Sequence, residues 1–357
     1  MRSARSKIYA ILLTALFLIS EVLLFCLPVF SGIDGWIDLL VGLVIALILA
    51  PTVHEIGHLS FACAFKMKPV FVKFFCFKIQ KKGGRYAFSL ANPFEEDQTQ
   101  VIPIQSGDMQ KRAKCYALGG LVFGGVFFAV FFLSALILSC FGIHSAKLWG
   151  IAPYSGYLFL LNAFPLEYPS GKTDMLVYKG ICKGTDAERA MVMAMEIQGL
   201  AYEGTPYAQM QKENFMFPVL AEDEPLFAVC HHLKYRLALD EENYENASDA
   251  LNRLAQSECY LSDFERERLA AEITYMHVIN SNVSTANETA KYCEEYLKSD
   301  SLSAKRILAT VAFLSGRIEE SQILKNQAEK LLDQEEVLAE KYLEKKLLSR
   351  LDFKVKE

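Results

Sequence analysis

Four stretches of the chain are apolar almost without interruption: residues 9–30, 39–65, 115–143 and 148–166. The first holds one charge, Glu21; the second holds one acid, Glu55, and no Lys or Arg; the third and fourth hold none. A bilayer core needs about 20 apolar residues in a helix, so each stretch is long enough to span. Four of them within 165 residues leave too little polar surface for a water-soluble fold. The pattern predicts about four transmembrane helices. Arg2, Arg5 and Lys7 precede the first, as in a signal peptide. Its apolar part exceeds the usual 7–15 residues and no A-x-A-like site follows, so a retained anchor is predicted. Glu21, near its middle, is costly in lipid and is expected to face the bundle interior.

The period changes between the second and third stretches. Residues 70–80 are rich in Phe, Val and Ile, Lys81-Lys82-Gly83-Gly84 follows, and residues 85–90 resume the pattern. This predicts a β-hairpin on a glycine turn. Residues 92–108, with two prolines and an acidic cluster, read as loop. From about residue 185 the pattern is helical, over 186–200, 225–239, 242–256, 262–279, 285–298, 301–314, 319–332 and 335–351. Hairpin starts near 225, 262 and 301 give a 37–39-residue spacing similar to tetratricopeptide-like arrays. The fold class expected is mostly α: a polytopic core with a small β-hairpin over residues 1–180, then an all-α domain over 181–357.

Charge follows the same division. Residues 1–165 carry 14 Lys+Arg and 8 Asp+Glu, whereas 166–357 carry 23 and 34. An acidic chain with 52% hydrophobic residues is neither disordered nor a basic nucleic-acid binder. Ten basic residues lie between Lys66 and Lys114 and three in the N-terminal tail, with none over 31–38 and only Lys147 after the third stretch. The positive-inside rule places both termini and the 66–114 segment in the cytoplasm; a bacterial cell membrane is the expected setting. Nine cysteines without a C-x-x-C pair read as reduced thiols. Cys230-His231-His232 makes a poor metal site, because adjacent helical side chains diverge.

The chemistry is concentrated in the second stretch, at His54-Glu55-Ile56-Gly57-His58. On a helix, positions i and i+4 share a face about 6 Å apart along the axis. Two imidazoles so placed can hold one zinc ion, with Glu55 beside them to take a proton from an attacking water and return it to a leaving amine. Three polar side chains in a lipid-embedded helix are costly unless they serve a site. Pro51, just upstream, frees the Leu47 carbonyl and favours a kink. A third protein ligand must come from elsewhere, since residues 59–65 hold no histidine.

The fourth stretch ends in Asn162-Ala163-Phe164-Pro165, followed by Glu167 and Asp174. With the HExxH helix, this resembles the site-2 protease family of intramembrane zinc metalloproteases over about residues 38–178. The resemblance implies His54, His58 and Asp174 as ligands to one zinc per chain, Glu55 as the catalytic base, and Asn162 at the substrate or the developing oxyanion. Asp174 is followed by Met175 where the family has Gly, and on ligand chemistry Glu167 competes for the third position. The family's Gly-Pro-x-x-Asn is replaced by Gly119-Gly120-Leu121-Val122-Phe123, where glycines favour close helix packing. The hairpin resembles the family's strand segment, which implies an edge able to pair with an unwound substrate; a plain membrane-surface hairpin is the alternative.

The leading expectation is an intramembrane zinc endopeptidase acting on membrane-embedded peptides near the cytoplasmic face, with residues 181–357 open to a cytoplasmic protein partner. The alternatives are a catalytically silent membrane adaptor, which an intact HExxH disfavours, and a metal transporter, which requires polar residues along several spans.

Overall fold

The computed structural model describes residues 2–82, 85–92, 98–168, 171–256, 263–280 and 282–351. The chain divides into two compact units, Met1–Ile102 with Asp108–Glu188, and Arg189–Glu357 with the short segment Pro103–Gly107.

The first unit opens with α1 (Arg2–Cys26) and α2 (Ile33–Ala64), followed by strands β1 (Met67–Phe74), β2 (Phe77–Lys82), β3 (Arg85–Leu90) and β4 (Gln98–Pro103). It continues with α3 (Met109–Cys140), α4 (Ala146–Ala163), the two-residue strands β5 (Glu167–Tyr168) and β6 (Gly171–Lys172), and α5 (Asp174–Lys183). Three helices, α1 from Ser6, α2 and α3, are long and apolar enough to cross a membrane. Ile11, Leu16, Ile19 and Val22 on α1 and Val126, Val130 and Ile137 on α3 are more than half exposed. Apolar surface on this scale belongs against lipid, and the chain is a multi-pass membrane protein.

The fourth expected span corresponds to α4, which is not among the three helices long and apolar enough to cross a membrane. It is helical over Ala146–Ala163, 18 residues, with Pro153 inside it and Lys147 and Asn162 near its ends.

Helix α2 is the spine. Its buried positions Leu39, Gly42, Ala46, Ala50, His54, Gly57, His58 and Ala62 recur every three or four residues and form one stripe. Small residues on that stripe bring neighbouring backbones into contact. A Cβ on Gly42 would lie 2.2 Å from the Lys147 carbonyl, and one on Gly150 2.3 Å from the Leu39 carbonyl, which fixes the α2–α4 crossing. A Cβ on Gly57 would lie 2.3 Å from the Gly119 carbonyl, and one on Gly119 2.6 Å from the Gly57 carbonyl, which fixes α2 against α3. Pro51 lies within α2, which runs through it to Ala64. Glu21 is buried, as expected, and its carboxyl oxygens have no hydrogen-bond partner among the described residues.

The β segment is larger than the expected hairpin. The sheet has four strands in the order β3-β2-β1-β4, with β1–β2 and β2–β3 antiparallel. The 70–80 run splits into two strands around Phe75, which adopts a left-handed φ of 49°. No glycine, asparagine or proline marks that turn in the sequence. Part of the expected 92–108 loop is β4, whose Thr99, Val101 and Ile102 are β-branched. The Gly83-Gly84 turn and the acidic cluster Glu95-Glu96-Asp97 lie outside the described residues.

In the second unit α6 (Asp186–Glu203), which begins in the first, leads to α7 (Pro225–Asp240), α8 (Tyr244–Ala255), α9 (Asp263–Ile279), α10 (Val283–Ala290), α11 (Glu294–Lys298), α12 (Leu302–Leu314), α13 (Ile318–Leu331) and α14 (Leu338–Ser349). Helices α7 with α8, α9 with α10, and α12 with α13 pack as consecutive antiparallel pairs. The 285–298 helix is interrupted by a 3-10 turn at Lys291–Cys293. An ionic cluster crosses the core of this unit. Arg306 is fully buried and donates to Glu344 at 2.7 Å and to both oxygens of Glu272 at 2.7 and 2.8 Å. Tyr235 donates to Glu272 at 2.7 Å, and the Arg306 guanidinium stacks 4.3 Å from the Tyr275 ring centroid.

Candidate metal centre

His54 and His58 lie on the buried stripe of α2, one turn apart, with Glu55 buried beside them. Asp174 is the first residue of α5, which packs against α3 and α4. Its approach depends on a small hairpin. Thr173 donates its hydroxyl to the Phe164 carbonyl at 2.7 Å and its amide to the Leu166 carbonyl at 3.0 Å, and the Leu166 amide donates to the Thr173 hydroxyl at 3.0 Å. Residues 166 and 173 are thereby held together while β5 and β6 pair between them. The nine-residue step from Pro165 to Asp174 closes on itself and returns the chain to the end of α4.

Asp174 Oδ2 lies 3.1 Å from His54 Nε2 and 3.2 Å from His58 Nε2, and the two Nε2 atoms are 3.2 Å apart. Asp174 Oδ2 is buried and makes no hydrogen bond of acceptable geometry. The three atoms converge on a common point. Four ligands about 2.0–2.1 Å from a tetrahedral ion lie about 3.3 Å from one another, so the triangle has the size that zinc requires. Among the described residues this is the group of three or more His, Cys, Asp or Glu side chains able to hold a metal. Cys230, His231 and His232 do not form such a group, and the eight cysteines described are free thiols.

The surroundings fix the histidine chemistry. His58 Nδ1 donates to the Tyr116 carbonyl at 2.9 Å, which leaves the Nε2 lone pair directed at the common point. Gly120 closes one side: a Cβ there would lie 2.5 Å from His54 Cε1 and from His58 Nε2. Glu55 Oε2 accepts from the Thr99 hydroxyl at 2.6 Å, and the Tyr116 hydroxyl donates to the Thr99 carbonyl at 2.6 Å. Thr99, Tyr116 and Gly120 were not singled out by the sequence for these roles. The Gly119-Gly120 pair was read as a packing element, which Gly119 is; Gly120 makes room for imidazoles instead.

Asn162 stands in the last turn of α4, and its amide donates to the Leu158 carbonyl at 3.2 Å. No hydrogen bond links it to the His54–His58–Asp174 group among the described residues. Glu167 is exposed on β5, its amide held by the Ser6 hydroxyl at 3.2 Å, and it is not in the metal-capable group. Comparison with models of known protein families, with curated proteins and with solved structures finds no match for this chain.

Proposed function

We propose that this protein is an intramembrane zinc endopeptidase of the site-2 protease type. The observation that carries the reading is the convergence of His54 Nε2, His58 Nε2 and Asp174 Oδ2 at 3.1–3.2 Å on an apolar membrane helix, with Glu55 alongside. Two neutral imidazoles and one carboxylate form a catalytic zinc donor set, which leaves a fourth position for water or substrate. Zinc bound there would polarise the scissile carbonyl and acidify water towards a pKa of about 7.

The residues of the chain then have separate tasks. Glu55 takes one proton from water as its oxygen bonds to the carbonyl carbon. It delivers that proton to the amide nitrogen as the C–N bond breaks, so one carboxyl and one amine end are formed. The apolar walls of α2 and α3 limit water around the site, and Asn162, at the entry to the Asp174 hairpin, is assigned to the substrate carbonyl. The substrate is a membrane-embedded peptide, cut near the cytoplasmic face if the basic 66–114 segment lies inside.

Substrate trapping tests the reading. Glu55→Gln in the native membrane is expected to retain zinc and to accumulate bound membrane peptides that the wild type releases as fragments. Equal recovery of intact peptides from both proteins would contradict it and favour an adaptor that holds peptides without cutting them.

A further inference from the structure

A general base next to a metal needs its carboxylate held in a fixed orientation, as hydrogen-bond partners beyond the metal do for the ligands themselves. Here the donor comes from a strand. Thr99 lies on β4, at the edge of the sheet beside β1, and its side chain is buried within the helical unit. We infer that Thr99 is the positioning residue for Glu55, and that β4 exists in this fold to deliver it.

Three observations converge on this assignment. The Thr99 hydroxyl donates to Oε2 of Glu55 at 2.6 Å, a short charge-assisted bond that leaves Oε1 for the proton of the attacking water. The strand is fastened at the same residue, because the Tyr116 hydroxyl donates to the Thr99 carbonyl at 2.6 Å. The Tyr116 main chain in turn accepts from His58 Nδ1 at 2.9 Å. Base, strand, helix α3 and metal ligand are thus joined in one run of three hydrogen bonds. A threonine used only to fill space would not require both its hydroxyl and its carbonyl to be bonded to groups around the site. The assignment rests on the peptidase reading, and it concerns Glu55 rather than the ligands, which makes the two separable.

Cobalt(II) is the probe, because its d–d spectrum reports a tetrahedral His-His-carboxylate site without a protein substrate. Acetohydroxamate is the second probe, since on binding a metal it must release a proton that a correctly placed neighbouring carboxylate accepts. Wild type and Thr99→Val are expected to bind one cobalt with the same spectrum. Thr99→Val is expected to bind acetohydroxamate about 10–100-fold more weakly. Thr99→Ser, which keeps the hydroxyl, is expected to restore affinity, and Tyr116→Phe to give an intermediate loss. With a trapped peptide as substrate, the same loss should fall on kcat rather than KM. Equal hydroxamate affinity in wild type and Thr99→Val would overturn the assignment. Loss of cobalt itself in Thr99→Val would also overturn it, by placing the strand among the supports of the ligands. Absence of cobalt from the wild type would instead end the peptidase reading on which the assignment rests.

Discussion

Two residues show how much can depend on the presence or absence of a few atoms. Gly120 faces the imidazoles so closely that a Cβ would stand 2.5 Å from His54 Cε1 and from His58 Nε2. Gly120→Ala is expected to reduce zinc affinity by about 10–100-fold, measured by competition with a chelator, while the helices still assemble. Arg306 is the converse, a full side chain in a fully buried place. Burial pushes the Glu272 carboxyl up, but Arg306 and Arg236 beside it more than offset this and hold it at about 2. Because that value is below the unfolded carboxylate value of about 4.3, the stability it contributes is present above pH 4.3 and is lost as pH falls towards 2. Arg306→Met leaves the buried Glu272 and Glu344 with Arg236 as their one neighbouring cation among the described ion pairs. It is expected to cost about 3–5 kcal/mol in denaturant unfolding of the helical unit. In the sequence Arg306 is one more cation on a helix, because its burial depends on three separate helices meeting there.

At the scale of elements, what could be read from the sequence depended on whether the signal was local. Helix α2 and its HExxH face were legible because a single period places both histidines and the small residues beneath them. Asp174, the third member of the metal-capable group, was legible only through resemblance, since nothing local distinguishes it from Glu167. The hairpin supplies the local geometry: pairing 166 with 173 sets Asp174 at the start of α5, while Glu167 is exposed on β5 and outside the metal-capable group. Thr173→Val, which deletes the hydroxyl that bonds Phe164 and Leu166, is expected to lower zinc content in purified protein while Glu167→Ala leaves it unchanged. Strand β4 was read as loop because its pairing partner, β1, lies about 30 residues away and the segment carries a proline. The turn at Phe75 was missed because its left-handed backbone is imposed by the sheet rather than announced by a turn residue.

At the scale of the whole molecule, the chain contains two solvents' worth of chemistry. Three long helices present apolar side chains outward, and a second unit buries an ionic cluster under consecutive helical pairs. The Asp174 hairpin lies where the first kind of sequence gives way to the second, so the metal-capable group draws its carboxylate from a polar segment that packs against α3 and α4. Alkaline extraction is expected to leave the full chain in the membrane, and a chain that washes off would contradict the assignment of the three helices. The most direct measurement combines metal and chemistry. A peptide recovered by trapping is placed in liposomes with wild type or Glu55→Gln, each at one zinc per chain, and with zinc-free wild type. The account predicts that the wild type cuts the peptide and Glu55→Gln does not. Cleavage that persists in Glu55→Gln, or a wild type that cuts without zinc, would contradict it.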